Sequence, residues 1–176
     1  KYVSMHHLSL NATKWLNIGF FEAVVFGRNN GFDLSYLQPV IFLRSIEQQN
    51  GSPDNANIGA DFKMNVAKKI QVYGQLMVDE FLKDEAIGSK NYWWGNKQGF
   101  QLGVKYVDAF GIDNFDLQAE VNQVRPFMYQ FRDSSASYTS YSQPLALPLG
   151  ANVREVTGMV RYQPTNRLYF FGRLNM

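Results

Sequence analysis

The sequence contains no cysteine and only two histidines. Without cysteine, disulfides and thiolate metal sites are excluded. The histidines, His6 and His7, are adjacent, and because neighbouring residues of a strand point to opposite faces, they cannot share a metal ion. The same geometry separates Asp79 from Glu80. No phosphate-binding loop, metal-spaced cluster or Ser-His-Asp grouping is present, so we expect a non-enzymatic protein with no metal and no cofactor.

Charge and long apolar runs are also scarce. Only 18% of the residues are charged, and the formal net charge of +2 gives no reason to expect nucleic acid as a partner. No run of roughly 18 apolar residues occurs, which excludes a membrane-spanning helix. The mean hydropathy of -0.28 does not argue against a membrane barrel, because barrel strands expose only alternate residues to lipid.

What the sequence does contain is a strict alternation of apolar and polar residues, which is typical of β-strands. In the clearest repeat, Phe115, Leu117, Ala119 and Val121 alternate with Asp116, Gln118, Glu120 and Asn122. The pattern predicts roughly eight strands, at residues 3–10, 15–26, 56–66, 70–79, 100–106, 115–122, 155–162 and 168–175. Glu22 is out of phase in the second strand, which indicates either a bulge or a buried wall.

The connections between these strands alternate between short and long. Tight turns are predicted at about 11–13, 67–69, 110–114 and 164–167, and long loops at about 27–54, 83–96 and 126–150. Such alternation is typical of an antiparallel up-and-down transmembrane β-barrel, whose two ends differ. Residues 36–44 are apolar and predict a short strand, although Pro39 argues against a central position. We expect residues 1–176 to be one barrel segment of a longer protein, because strand-like sequence reaches both ends.

Alternation alone does not decide whether the apolar side meets lipid or a protein core. Aromatic residues near the strand ends favour lipid, because such rings settle at the headgroup level of a membrane. They are Tyr106, Phe110, Phe115 and Tyr162 near the tight turns, and Phe81, Trp93, Trp94 and Phe100 near a long loop. Charges of both signs on the polar side are typical of a hydrated lumen. The alternative is a soluble up-and-down barrel or sandwich.

Five stretches of the sequence resemble the Wzi-like capsule-assembly proteins of Bacteroidetes, some of which are labelled gliding-motility proteins of the RemB type. The stretches are FFEAVVFGR (Phe20 to Arg28), YLQPVIFLRSIEQQNGSPDNA (Tyr36 to Ala56), YGQLMVDEF (Tyr73 to Phe81), WWGNKQGFQLGVKY (Trp93 to Tyr106) and RPFMYQFRDSSASYTSYSQPLALPLGAN (Arg125 to Asn152). The similarity runs from about Thr13 to Arg167, and the loop phrases are more specific than the strands.

The resemblance implies a place in the bacterial outer membrane, as a contiguous part of a barrel larger than eight strands. It implies a role in holding capsular polysaccharide at the cell surface or in gliding motility. The expected partners are membrane lipid and lipopolysaccharide, capsular polysaccharide, and the rest of the same barrel or other outer-membrane proteins. Two other functions stay open: a passive outer-membrane pore or transporter, and a soluble β-barrel binding protein.

The resemblance supplies no catalytic motif, so the candidate site residues are aromatic and basic loop residues. Aromatic faces beside hydroxyls and amides stack on sugar rings, which points to Tyr92, Trp93, Trp94, Tyr129, Tyr138 and Tyr141. Arg125 and Arg132 could pair with the carboxylates or phosphates of an acidic polysaccharide, as could Arg28 and Arg44. The alternative is that the aromatic residues pack within loops or the membrane girdle and that the arginines tie loops together.

Overall fold

The computed structural model describes residues 1–28, 32–40, 43–51, 54–79 and 97–176. The strands are β1 (Tyr2–Asn11), β2 (Leu16–Phe26), β3 (Asn55–Val66), β4 (Ile70–Val78), β5 (Gln98–Tyr106), β6 (Phe115–Val124), β7 (Thr139–Ser140), β8 (Gln143–Pro144), β9 (Val153–Thr165) and β10 (Leu168–Asn175). Within these residues there is one α-helix, α1, which spans Leu43–Gln49, and short 3-10 turns occur at Leu34–Leu37, Ala109–Gly111 and Ser134–Ala136. The predicted short strand at residues 36–44 is wrong, because its described part contains a 3-10 turn and the start of α1.

Eight of the strands form one antiparallel sheet in the order β1-β2-β3-β4-β5-β6-β9-β10. Each strand pairs with the next large strand along the chain, so the sheet is a simple meander, and the prediction of an antiparallel all-β protein is confirmed. Strands β1 and β10 are the two edges and are not paired with each other within the described residues. Strands β7 and β8 form a separate small hairpin in the connection between β6 and β9.

The register places most of the alternating apolar residues of the sheet on one side, here called the apolar face. In one row across the sheet, Phe20 pairs with Ala60, Ala60 with Leu76, and Leu76 with Phe100. The opposite side, here called the polar face, carries the intervening residues. One of its rows consists of Asp61, Gln75, Gln101, Asn122 and Glu155. Unbroken pairing through β2 also shows that Glu22 is not part of a bulge.

Much of the apolar face is exposed. Six large side chains between the second strand and the last are 42–61% exposed: Phe20, Ile58, Leu76, Leu102, Val160 and Leu174. Near the tight turns the face carries an aromatic belt, in which the ring centroids of Phe115 and Tyr162 are 5.8 Å apart and those of Tyr162 and Phe170 are 6.4 Å apart. The sheet thus exposes a broad apolar surface bordered by aromatic rings. No helix among the described residues is long and apolar enough to span a membrane.

The two long connections with described residues pack on opposite faces, at the same end of the sheet. The flank segment, residues 32–40 and 43–51, packs on the apolar face, where Tyr36 and Leu43 contact Val24, Phe26 and Ala56. The roof segment, residues 125–152, packs on the polar face; its core consists of Met128, Tyr129 and Tyr138 with Phe21, Ala23, Val25, Met77 and Val124. This end of β2 is therefore buried on both sides.

The flank segment also explains the phase of Glu22. The backbone N–H of Leu43, at the first residue of α1, donates a hydrogen bond of 2.9 Å to Glu22 Oε1. The same oxygen lies 3.1 Å from His6 Nδ1 on β1. Glu22 is only 5% exposed, so the residue belongs to a buried wall that holds α1 against the sheet.

Candidate functional site

The centre of the polar face is a tyrosine ring that lies along the sheet. Tyr73 is on β4, and its hydroxyl donates a hydrogen bond of 2.6 Å to Glu120 Oε2 on β6. Those strands are separated by β5, a span of about 10 Å. The ring bridges this distance over Gly103 of β5, which offers no side chain to obstruct it. One aromatic residue therefore forms the floor of the polar face across three strands.

Amide and acidic side chains extend this arrangement across the sheet. Gln118 Nε2 donates to the Tyr73 hydroxyl at 2.8 Å, and Asn122 Nδ2 donates to Glu120 Oε1 at 2.8 Å and to Glu155 Oε2 at 3.3 Å. Glu155 Oε1 lies 3.8 Å from the Arg173 guanidinium on β10. The network leaves the two buried or half-buried glutamates fully partnered, which avoids the cost of an isolated buried charge.

We predict that Gly103→Ala displaces the Tyr73 ring. A Cβ at Gly103 would occupy the position of the ring and its hydroxyl, so both hydrogen bonds of the hydroxyl would break, at a cost of about 1–3 kcal/mol. Gly158→Ala on β9 is the matched control, because nothing lies within 4 Å of a Cβ at that position. Urea titration measures both free energies of unfolding. Equal stability of the two variants would contradict the position of Tyr73.

The roof segment is held to the sheet by its own aromatic core. Tyr129 and Tyr138 stack with ring centroids 6.3 Å apart, and the Leu147 N–H donates to the Tyr129 hydroxyl at 3.2 Å. Burial raises the pKa of both phenols, so both stay neutral at physiological pH. Lys97 links the roof segment to the end of β4. Its ammonium donates a hydrogen bond of 2.8 Å to the Gln130 carbonyl and lies 3.4 Å from Asp79 Oδ2.

Two adjoining cavities lie on the polar face. The upper cavity, of about 440 Å³, lies beneath the roof segment, and uncharged residues line it, including the amides Gln75, Gln101 and Asn122. The lower cavity, of about 500 Å³, extends toward the tight turns and is lined by His7, Asp61, Lys63, Gln71, Tyr73 and Lys105 among others. Both cavities share Met5, Phe21, Gln75 and Gln101, so they form one continuous surface, here called the polar cleft.

The predicted site residues are only partly brought together. Tyr129 and Tyr138 line the upper cavity, but they are only 5% and 7% exposed, so most of each ring surface packs against protein. Tyr141 is fully exposed at the tip of the β7–β8 hairpin. Tyr92, Trp93 and Trp94 lie outside the described residues.

The predicted arginines are dispersed. Arg125 lies at the end of β6 beside the roof segment, where its backbone pairs with Gln98 and Asn152, and Arg132 is exposed within that segment. Arg44 forms an ion pair of 3.3 Å with Glu47 inside α1. Arg28 is committed to two carboxylates: Asp54, in two bonds of 2.7 Å, and Asp33, at 2.7 Å. Arg28 thus ties the start of the flank segment to Asp54 just before β3, as the alternative expected, whereas the ion pair of Arg44 lies within one helix.

The polar cleft contains residues that the sequence did not single out, chiefly Tyr73, Gln75, Gln101 and Asn122. These residues were recognised only as polar positions of alternating strands. Their sequence signal is weak, because a tyrosine or an amide at a polar position of an alternating strand does not stand out. The same holds for Gly103, which lies between Gln101 and Lys105 on the polar side of the paired strand. Within the described part of the chain, no group of histidine and carboxylate side chains could hold a metal ion.

Comparison with known proteins adds no family to this description. No protein-family model matches the sequence, and neither the curated proteins nor the solved structures that were compared with it give a match.

Proposed function

We propose that this chain forms part of the wall of a bacterial outer-membrane β-barrel, with its apolar face against lipid and its polar face toward a hydrated lumen. The observation that carries the proposal is the separation of the two faces over eight strands: half-exposed large apolar side chains on one, and amides and charges on the other. Soluble monomers rarely expose a large contiguous apolar surface to water.

Strand length and the aromatic belt support the same proposal. The eight strands of the sheet contain 8 to 13 residues, against about 9–11 needed to cross a bilayer at the usual tilt. The belt of Phe115, Tyr162 and Phe170 lies where the tight turns begin, as expected for rings at a membrane interface. The flank segment would then lie beyond the hydrocarbon layer, where protein rather than lipid covers β2 and β3.

For the role of the barrel, we propose non-enzymatic attachment or assembly of capsular polysaccharide at the cell surface, or a part in gliding motility. The polar cleft supports binding, because amide groups beside aromatic surface suit the hydroxyl rims and flat faces of sugar rings. The roof segment lies across this face and would narrow the lumen, which favours a binding barrel over an open pore.

The test begins with the full-length protein expressed in an outer membrane. We expect it to remain in the membrane after urea extraction and to retain polysaccharide from the capsule of the source bacterium in a pull-down. Gln75→Leu, within the polar cleft, should reduce retention, whereas Gln163→Leu, exposed beside the last tight turn, should not. Conductance across a lipid bilayer without polysaccharide retention would favour the pore, and release by urea would favour a soluble protein.

A further inference from the structure

Some charged side chains of the polar face have a partner of opposite charge among the described residues, and others do not. Three of its acidic residues near Tyr73 have partners: Asp61 Oδ2 lies 2.8 Å from His7 Nε2, Glu120 accepts hydrogen bonds from Tyr73 and Asn122, and Glu155 lies 3.8 Å from Arg173. By contrast, within the described residues no carboxylate lies within ion-pair distance of Lys63 or Lys105. Two ammonium groups of this face are therefore available to an external anion.

Both lysines lie on strands that neighbour Tyr73 in the sheet. Lys63 on β3 lies opposite Tyr73 in the register, and Lys105 on β5 has its ammonium 5.8 Å from the centre of the Tyr73 ring. Both also line the lower cavity. A ligand resting on the tyrosine ring would therefore meet a positive charge from either neighbouring strand, in a cleft whose protein walls strengthen the attraction relative to open solvent.

The upper part of the cleft has a different character. Among the described residues, no charged side chain lines it, so an anionic group placed beside these residues would lose hydration without gaining a cationic partner from them. Successive rows on the polar face are about 7 Å apart, and the Gln75 row lies one step from the Lys63 row and two steps from the Lys105 row. The cleft thus passes from an uncharged, amide-lined section into a cationic section over a short distance.

Building on the proposed function, we infer that the ligand of the polar cleft is an acidic polysaccharide, and that Lys63 and Lys105 bind its carboxylate or phosphate groups. Uncharged sugar rings lie along the amides and over Tyr73, while the acidic substituent reaches the two ammonium groups. Asp61 lies in the same lower cavity, where its partner is His7 rather than either lysine. The anion would then be bound by lysines of the sheet rather than by the loop arginines Arg125 and Arg132.

The test compares full-length variants in detergent, with capsular polysaccharide extracted from the source bacterium as the probe. The polysaccharide is used native, after chemical reduction of its carboxyl groups, and after removal of its phosphate. The double variant Lys63→Gln with Lys105→Gln should bind the native form about 100-fold more weakly, tenfold for each charge-assisted hydrogen bond lost. The control, Lys14→Gln with Lys68→Gln, removes the same charge from exposed turn lysines and should change affinity less than threefold.

Each outcome has one meaning. Loss of affinity in the double variant, together with loss on one of the two chemical treatments, supports the inference and identifies the acidic group. Unchanged affinity of the double variant overturns the inference and leaves the proposed function intact, and so does binding of both treated forms as tightly as the native form. Failure of the wild type to bind the polysaccharide refutes the proposed function itself. Lysine-dependent binding of purified lipopolysaccharide alone would overturn the polysaccharide as the source of the anion.

Discussion

Replacing Leu102 by arginine is expected to destabilise the inserted protein by about 2–4 kcal/mol, the cost of a guanidinium near the bilayer midplane on the lipid side of a barrel. Leu102 lies at the middle of β5, on the apolar face, and is 50% exposed. Its side chain has no polar group nearby to receive the charge, since its row neighbours are Gly74 and Val121. Urea titration in lipid vesicles measures the change in unfolding free energy.

Gln101→Arg provides the matched control, because it places the same side chain one residue away on the polar face. There the guanidinium would face the hydrated cleft near Glu120 and Asn122, so we expect a cost below about 1 kcal/mol. In a soluble sheet this difference would vanish, because arginine at the half-exposed Leu102 would also cost little in water. Similar tolerance at the two positions would therefore contradict the assignment of the apolar face to lipid.

The sheet could be predicted from the sequence because period-two alternation directly determines which side chains share a face. The short 67–69 turn fixes the pairing of β3 with β4, and once Val66 meets Ile70, every later pair follows by counting. The same reasoning gave the apolar rows of β5, β6, β9 and β10. Local pattern and tight turns together therefore leave little freedom in the register.

The positions of the long segments could not be predicted in the same way. A sign was present in β2, where alternation stops at the run Ala23–Val24–Val25–Phe26, because a strand buried on both faces reads as continuously apolar. That run indicates that both faces of β2 are buried, but it does not identify the segment that packs on each face. The answer depends on contacts such as Leu43 with Glu22 and Met128 with Phe21, which no local pattern reveals.

The polar cleft could not be predicted from the sequence for a related reason. Tyr73 and Glu120 are 47 residues apart, and nothing in either strand indicates that the tyrosine ring will lie flat. That orientation depends on the absence of a side chain at Gly103, which becomes meaningful only when the register places it beside Tyr73. Aromatic loop residues stand out in a sequence, whereas a single tyrosine in an alternating strand does not.

Asp54→Ala is expected to release the flank segment from the sheet at a cost of about 3 kcal/mol. The Asp54 carboxylate, whose side chain is 2% exposed, accepts bonds of 2.7 Å from Arg28 Nη1, Arg28 Nη2 and the Tyr36 hydroxyl. These bonds raise the pKa of Arg28, and burial followed by the bond to Asp54 raises that of Tyr36. Removing the carboxylate leaves a fully buried hydroxyl and a half-buried guanidinium short of partners, which is costly.

Asp33→Ala is the control for Asp54→Ala, because it removes the other carboxylate that is bound to Arg28. It separates the specific role of Asp54 from a general effect of removing a negative charge. Asp33 is more accessible, with 21% of its side chain exposed, so water can replace its bonds and we expect a loss near 1 kcal/mol. Hydrogen exchange of α1 measures both changes locally, because opening the flank segment exposes the helix without unfolding the sheet. Equal protection of α1 in the two variants would show that Asp54 does not hold the segment, and the burial of Glu22 and Tyr36 would then need another cause.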